Sequence, residues 1–291
     1  MTAPVSAGSA VYAVFGIRFL DYATGRVVGD QLHATARPVT QLDLQVTGVV
    51  GPSGLVSLHH LPGLHDQEFP LTEPPLPPTP PRTFVVTVED RLGWFLPALF
   101  LIDLPLLEPG SFPVVAERPL IDAYVFSAPT RPIPPGFAAI RAEFRDRDTL
   151  EPVGHAVLRA TIAGSSGIGI ADRQGRVLAL LPTPTVDRLR LGSPPGMGQA
   201  TLGRQTWQAD ATAFALMGLG PPTLPGGRLP APWNSLPTLK AILDSQPQAR
   251  LELTQGNLSD SWTSTLTYGE DLVLRTTSSS YLLISRGASP L

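Results

Sequence analysis

The residues that could do chemistry are few. Five histidines stand at His33, His59, His60, His65 and His155, and there is no cysteine. His59, His60 and His65, with Asp66 beside them, make the one histidine cluster; a zinc-type site needs two or three such side chains converging on a point. On a strand His59 and His60 face opposite sides, so at most one of them joins His65, and the cluster reads as strand-end and loop histidines. Asp146, Asp148 and Glu151 alternate like calcium ligands. Arg145 and Arg147 are interleaved with them, however, and the loop glycine of an EF-hand is missing, so this stretch reads as a solvated turn. Serines stand between glycines in "GPSG" (Gly51 to Gly54) and "GSSG" (Gly164 to Gly167), but neither is the G-x-S-x-G elbow of a hydrolase. There is no phosphate loop, and Lys240 is the single lysine. Asn257-Leu258-Ser259 is a formal glycosylation sequon. The expectation is a non-enzymatic chain with no catalytic residue, metal ligand or cofactor.

The composition points the same way. Only 15% of the 291 residues are charged, against about 25% in a typical globular domain, while 27 Gly and 33 Pro punctuate the chain. Such a chain spends little surface on long charged helices and much on short strands and turns. A formal charge of -3 supplies no basic patch for nucleic acid or anionic lipid. The most apolar stretch, "WFLPALFLIDLPLL" (Trp94 to Leu107), is broken by Pro97, Asp103 and Pro105 and falls short of the roughly 20 residues of a bilayer span. "MTAPVSAGSA" has neither a positive n-region nor an apolar h-region. The expectation is cytoplasmic synthesis without a cleavable signal and without membrane insertion.

The elements that would position these residues show an internal repeat. One unit runs from Ile17 to Ala36 and then from Pro52 to Pro62; the other runs from Ile140 to Ile162 and then from Asp172 to Pro182. Both open Ile-Arg and reach an Asp-and-Thr turn, at Asp21/Thr24 and Asp148/Thr149. Gly29 and Gly154 follow five residues after each Thr, then Ala34-Thr35 and Ala160-Thr161, then Gly54 or Gly175 opening an apolar run. His33 and His155 take similar places in the two units. Each unit predicts a strand, a polar turn, a returning strand, a second turn at the glycine, and a third strand ended by Pro62 or Pro182.

The "D-x-x-T" opening with its following "V-G", and the later Gly before an apolar strand, resemble carboxypeptidase-regulatory-like, transthyretin-like β-sandwich repeats. That resemblance implies small non-catalytic sandwiches used as spacers and adhesion modules. "FVVTVEDRLGWFLP", "FSAPTRPIPPG" and "LTYGEDLVLRTTSSSYLLIS" look like proteins encoded alongside phage-tail-like contractile injection particles, which implies an accessory role in such an assembly. Protein subunits are then the expected partners and release as part of a particle the expected fate, with a carbohydrate- or surface-binding adhesin as the alternative.

The fold expected is mainly β: two small antiparallel sandwich modules with proline-rich connectors and a C-terminal β-rich region carrying one short helix. Residues 10–126 form the first module, 127–200 the second and 201–291 the C-terminal region. Six prolines in "EPPLPPTPPR" (residues 73–82) also spell P-x-x-P-x-R; because "APTRPIPPG" and other Pro–Pro pairs recur, the run reads as a strut, extended by the fixed φ of proline. "SLPTLKAILDS" predicts a helix near 236–245, capped by Ser235. Trp94, Trp207, Trp233 and Trp262 are assigned to core packing or an assembly interface.

Overall fold

The first strand shows how the chain is built. In β1 (Phe15–Asp21) every second side chain is buried, so Phe15, Ile17 and Phe19 meet the core while Arg18 faces outward. The structure, a computed structural model, describes residues 15–64, 80–104, 120–184, 205–216 and 218–285. It is mainly β with several sheets, and among the described residues it carries one short α-helix, toward the C-terminus.

Two four-stranded sheets make the first sandwich. One has the order β4 (Val49–Val50), β5 (Leu55–Leu58), β1, β8 (Leu120–Val125); the other has β3 (Val46–Thr47), β2 (Leu32–Pro38), β6 (Arg82–Asp90), β7 (Ala98–Leu104). Phe15, Phe19, Leu58, Phe84 and Val86 interlock between them. β8 joins β1 in parallel, Ile17 opposite Ile121. β7 begins just after Pro97, at Ala98, because proline is tolerated at a strand end and has no N–H for the ladder.

The second sheet system follows the path β11 (Ser165–Ile170), β10 (Val157–Ile162), β13 (Thr206–Phe214), β14 (Gln248–Thr254), β18 (Leu282–Ser285), β9 (Phe137–Asp146), β12 (Arg176–Pro182). β15 (Asn257–Ser259) pairs β14, β16 (Trp262–Thr267) pairs β13, and β17 (Leu272–Leu274) runs parallel to β9. "TWQADATAF" is β13. Strand pairing crosses residue 200: β10 bonds β13, and β9 takes both β17 and β18. The stretch expected as a separate C-terminal region thus supplies strands to the same core as 137–182, around Ile140, Phe144, Leu158 and Leu251. β11 closes against β12 at two glycines: a Cβ on Gly169 would sit 2.6 Å from Leu178 O, so only the bare backbone fits.

The repeat is present in the fold, with its register shifted at the aspartate. The aspartate matching Asp21 is Asp146, not Asp148. Asp146 Oδ1 accepts from Asp148 N, Thr149 N and Thr149 Oγ1, as the Asp21 carboxylate accepts from Ala23 N and Thr24 Oγ1. Asp21 N donates to Arg26 O and Asp146 N to Glu151 O, both at 2.9 Å, and the next position after each Thr is left-handed, Gly25 at φ 67° and Leu150 at φ 60°. In register, Arg18 opposes Leu55 as Glu143 opposes Arg176. Two expectations need correction. His33 lies on β2, whereas His155 precedes β10 with φ 63°, so the two are not equivalent. β5 ends at Leu58 rather than at Pro62, since His60 turns the chain with φ 57°.

Candidate functional site at the module junction

The connector 126–136 is bonded to the first sandwich through its first half. Leu96 N donates to Phe126 O at 2.9 Å and Ala128 N to Trp94 O at 2.8 Å; Thr130 Oγ1 donates to Gly93 O at 2.9 Å. Arg131, buried, then reaches the repeat turn. Its Nη1 and Nη2 donate to Asp21 Oδ1 and Oδ2 at 2.8 and 2.6 Å, Nη1 also donates to Ser127 Oγ, and the guanidinium lies 4.7 Å above the Phe95 ring. Burial pushes the Asp21 carboxyl up, but hydrogen bonds from Arg131 and Thr24, with the Arg131 charge, outweigh it and hold the group below its ordinary value. From the other side, Arg141 Nη1 of β9 donates to Pro129 O at 2.7 Å. The turn of one sandwich, the connector and the first strand of the other are therefore linked by charge-assisted bonds.

A second tie comes from far along the chain. Residues 218–236 form a strap across the outer face of the first sandwich, where Leu224, Leu229 and Leu236 cover Val85 and Leu99. Gly226 N donates to Val39 O at 2.7 Å, an approach that a side chain on Gly226 would block. The strap passes through a 3-10 turn at Trp233–Ser235 into α1 (Leu239–Asp244). Thr238 Oγ1, not Ser235, caps α1 by accepting from Ala241 N at 3.2 Å. The extended Leu236-Pro237-Thr238 stretch accounts for the shift: a residue before proline is pushed out of the helical region. Leu239 and Ile242 of α1 then meet Phe126, Val157 and Ile170 between the sandwiches.

These walls enclose a cleft of about 300 Å³. Its lining is mainly apolar, with Leu96 and Phe126 from the first sandwich, Ile170 from the second, and Trp233 and Ile242 from the strap and α1. Its polar groups are His155, Asp172, Arg173, Gln174 and Glu89. His155 is half-buried; burial, then the Arg173 charge, lower its pKa from the ordinary 6.5, so the ring is neutral at pH 7. Its carbonyl accepts from Gln246 Nε2 at 2.7 Å and its N–H donates to Ala171 O at 3.1 Å. Arg173 Nη2 donates to Pro232 O at 2.7 Å, tying strap to second sandwich. The Asp172 carboxylate is spent on Gln174 N, Arg176 N and the Arg176 guanidinium.

Comparison with solved structures finds distant likenesses among pilin and adhesin β-domains. The shaft pilin SpaA of Lactobacillus rhamnosus GG aligns over 94% of this chain and 98% of its own, at 8% identity and a TM-score of 0.23. A streptococcal ancillary pilin aligns over 94% and 62%, at 8% identity and a TM-score of 0.22. A candidate adhesin from Bacteroides ovatus aligns over 69% and 72%, at 9% identity and a TM-score of 0.22. No protein-family model and no curated protein matches the sequence. The likeness is weak, no family follows from it, and the transthyretin-like and contractile-particle assignments gain nothing from it.

Of the residues singled out by type and spacing, His59 and His60 are adjacent, with ring centroids 6.4 Å apart, and His59 Nδ1 is buried without a hydrogen-bond partner. His65 and Asp66 lie outside the described residues, and among the described residues no three His, Asp or Glu gather as a metal-binding group. Asp146 organises its turn while Asp148 and Glu151 are exposed. The serines of "GSSG" belong to the β10–β11 hairpin, and Lys240 pairs with Asp244 on α1 at 2.6 Å. Trp207 and Trp262 pack on the second core, Trp233 of the strap packs against the Val85–Leu99 cluster, and Trp94 is exposed. Residues 73–79 of the proline run lie outside the described residues; Arg82, which ends it, opens β6 opposite Leu104. Among the described residues no helix is long and apolar enough to cross a membrane. Sequence reasoning missed the Asp21–Arg131 pair and the placement of His155 beside Arg173. Spacing carries no signal for the first, although an arginine amid the prolines of a connector is a charge in need of a partner.

Proposed function

We propose that this protein is a non-enzymatic structural component of a larger assembly, a stiff spacer whose sheet edges and apolar loops dock neighbouring subunits. The observation that supports this reading is the joint: the buried Asp21–Arg131 pair and the Leu224–Leu229–Leu236 strap fix connector and strap to the first sandwich, and Arg141 and Arg173 of the second bond to both. A flexible tether needs neither. The sequence resemblance names a phage-tail-like contractile injection particle as the assembly, with protein subunits as partners and release as part of the particle. Velocity sedimentation of native lysate tests it. The protein should travel with a large particle, and a strictly monomeric species under those conditions would sink the proposal.

A second reading, a carbohydrate- or surface-binding adhesin, has one feature in its favour. Tyr124 is 46% exposed and meets Tyr22 edge-on, while Tyr22 stacks on the buried Phe126 at 4.7 Å, so one exposed ring is held on a rigid aromatic base where a sugar could stack. Glycan-array binding abolished by Tyr124→Ala would favour it.

A further inference from the structure

The mechanical role leaves the junction cleft unused. Protein interiors fill at near-crystalline density, and an unfilled apolar void weakens whatever surrounds it. A joint selected for stiffness alone gains by closing this space, yet about 300 Å³ stays open between walls drawn from both sandwiches, the strap and α1.

The polar groups on its walls indicate what would fill it. His155 is held in a left-handed backbone conformation that non-glycine residues seldom adopt, and its main chain is fixed on both sides by Ala171 O and Gln246 Nε2. Its ring nitrogens have no protein partner among the described residues, and the imidazole offers one N–H donor. Arg173, exposed at the cleft mouth as Glu89 is, acts on that ring with its charge against that of Asp172; it spends one guanidinium nitrogen on Pro232 O and has no carboxylate partner among the described residues. The neighbouring Asp172 is saturated by Arg176. His155 and Arg173 both line the cleft, each with donor capacity beyond the bonds described. Glu89, the one remaining charge on the walls, lies exposed at the end of β6.

We propose that the junction cleft binds a small amphipathic carboxylate, aryl or branched aliphatic, its apolar body against Phe126, Ile170 and Ile242 and its carboxylate on Arg173 and the His155 N–H. The site goes beyond the spacer role and stands or falls without it. A pocket of this size lined this way, with a few converging polar groups, has the general character of a small-ligand site.

The test uses the full chain, with phenylacetate, phenylacetamide and benzylamine as probes, isothermal titration as the measure of affinity and the His155 imidazole resonances as the locator. Phenylacetate should bind saturably, one per chain, and shift the His155 signals. Phenylacetamide should bind roughly tenfold or more weakly, as loss of a charge-assisted pair implies. Arg173→Gln should lower phenylacetate affinity by a similar factor, whereas Arg18→Gln, on the outer face of β1, should leave it unchanged. Ile242→Trp, which fills the cleft, should abolish binding; where that variant fails to fold by circular dichroism, Arg173→Gln decides. Absence of saturation by all three probes, tighter binding of benzylamine than of phenylacetate, or an affinity untouched by Arg173→Gln overturns the proposal.

Discussion

Removing Asp21 would leave the Arg131 guanidinium buried and unpaired, the costly way to break an ion pair. Asp21→Asn is expected to lower unfolding free energy by about 3–5 kcal/mol in urea titrations. The same pair sets an acid limb. Because the folded-state pKa of Asp21 lies below the ordinary 3.8, its stabilisation is fully present above that value and is lost as pH falls through the lower folded pKa. Stability measured from pH 5 downward should therefore fall less steeply in Asp21→Asn than in the parent chain. Arg37 presents the opposite case. It is buried with Thr35 Oγ1 and Gln45 Oε1 as its hydrogen-bond partners and no ion pair among the described residues, and burial lowers its pKa. Burying a lone charge is a cost, so Arg37→Met should leave stability unchanged or raise it by up to about 1–4 kcal/mol in urea titrations; a clear loss would contradict this.

Among the elements, α1 separates what local patterns can show from what they cannot. Thr238→Ala should destabilise by about 1 kcal/mol while Ser235→Ala stays within roughly 0.5 kcal/mol, measured by thermal melts. The helix itself was legible from the spacing of Leu236, Leu239, Ile242 and Leu243, but two serine/threonine caps compete at its start, and the extended stretch around Pro237 decides between them. The strands of the repeat were legible for a similar reason. Alternation at Phe15, Ile17 and Phe19 and glycines at fixed turn positions are local signals. The parallel partnerships β1–β8 and β9–β18 were not, because they join segments far apart in sequence and leave no local trace. The candidate site was hidden for that reason too: His155 reads as a polar loop residue until strand pairing brings Trp233 and α1 over it, while His59 and His60, adjacent in sequence, join no metal-binding group among the described residues.

For the molecule as a whole, the joint and strap imply that the sandwiches unfold together. Scanning calorimetry should show one cooperative transition, and Leu236→Asp, which places a charge among Val85, Leu99 and Trp233, should split or broaden it. The strap carries one more consequence, for how the polypeptide is made. Translation runs from the amino end, so the oily flank at Val85 and Leu99 emerges long before the segment that shields it. A nascent chain stalled ahead of residue 218 should recruit a holding chaperone, and one stalled well past residue 245 should let it go. The last third of the message thus finishes the first third of the protein.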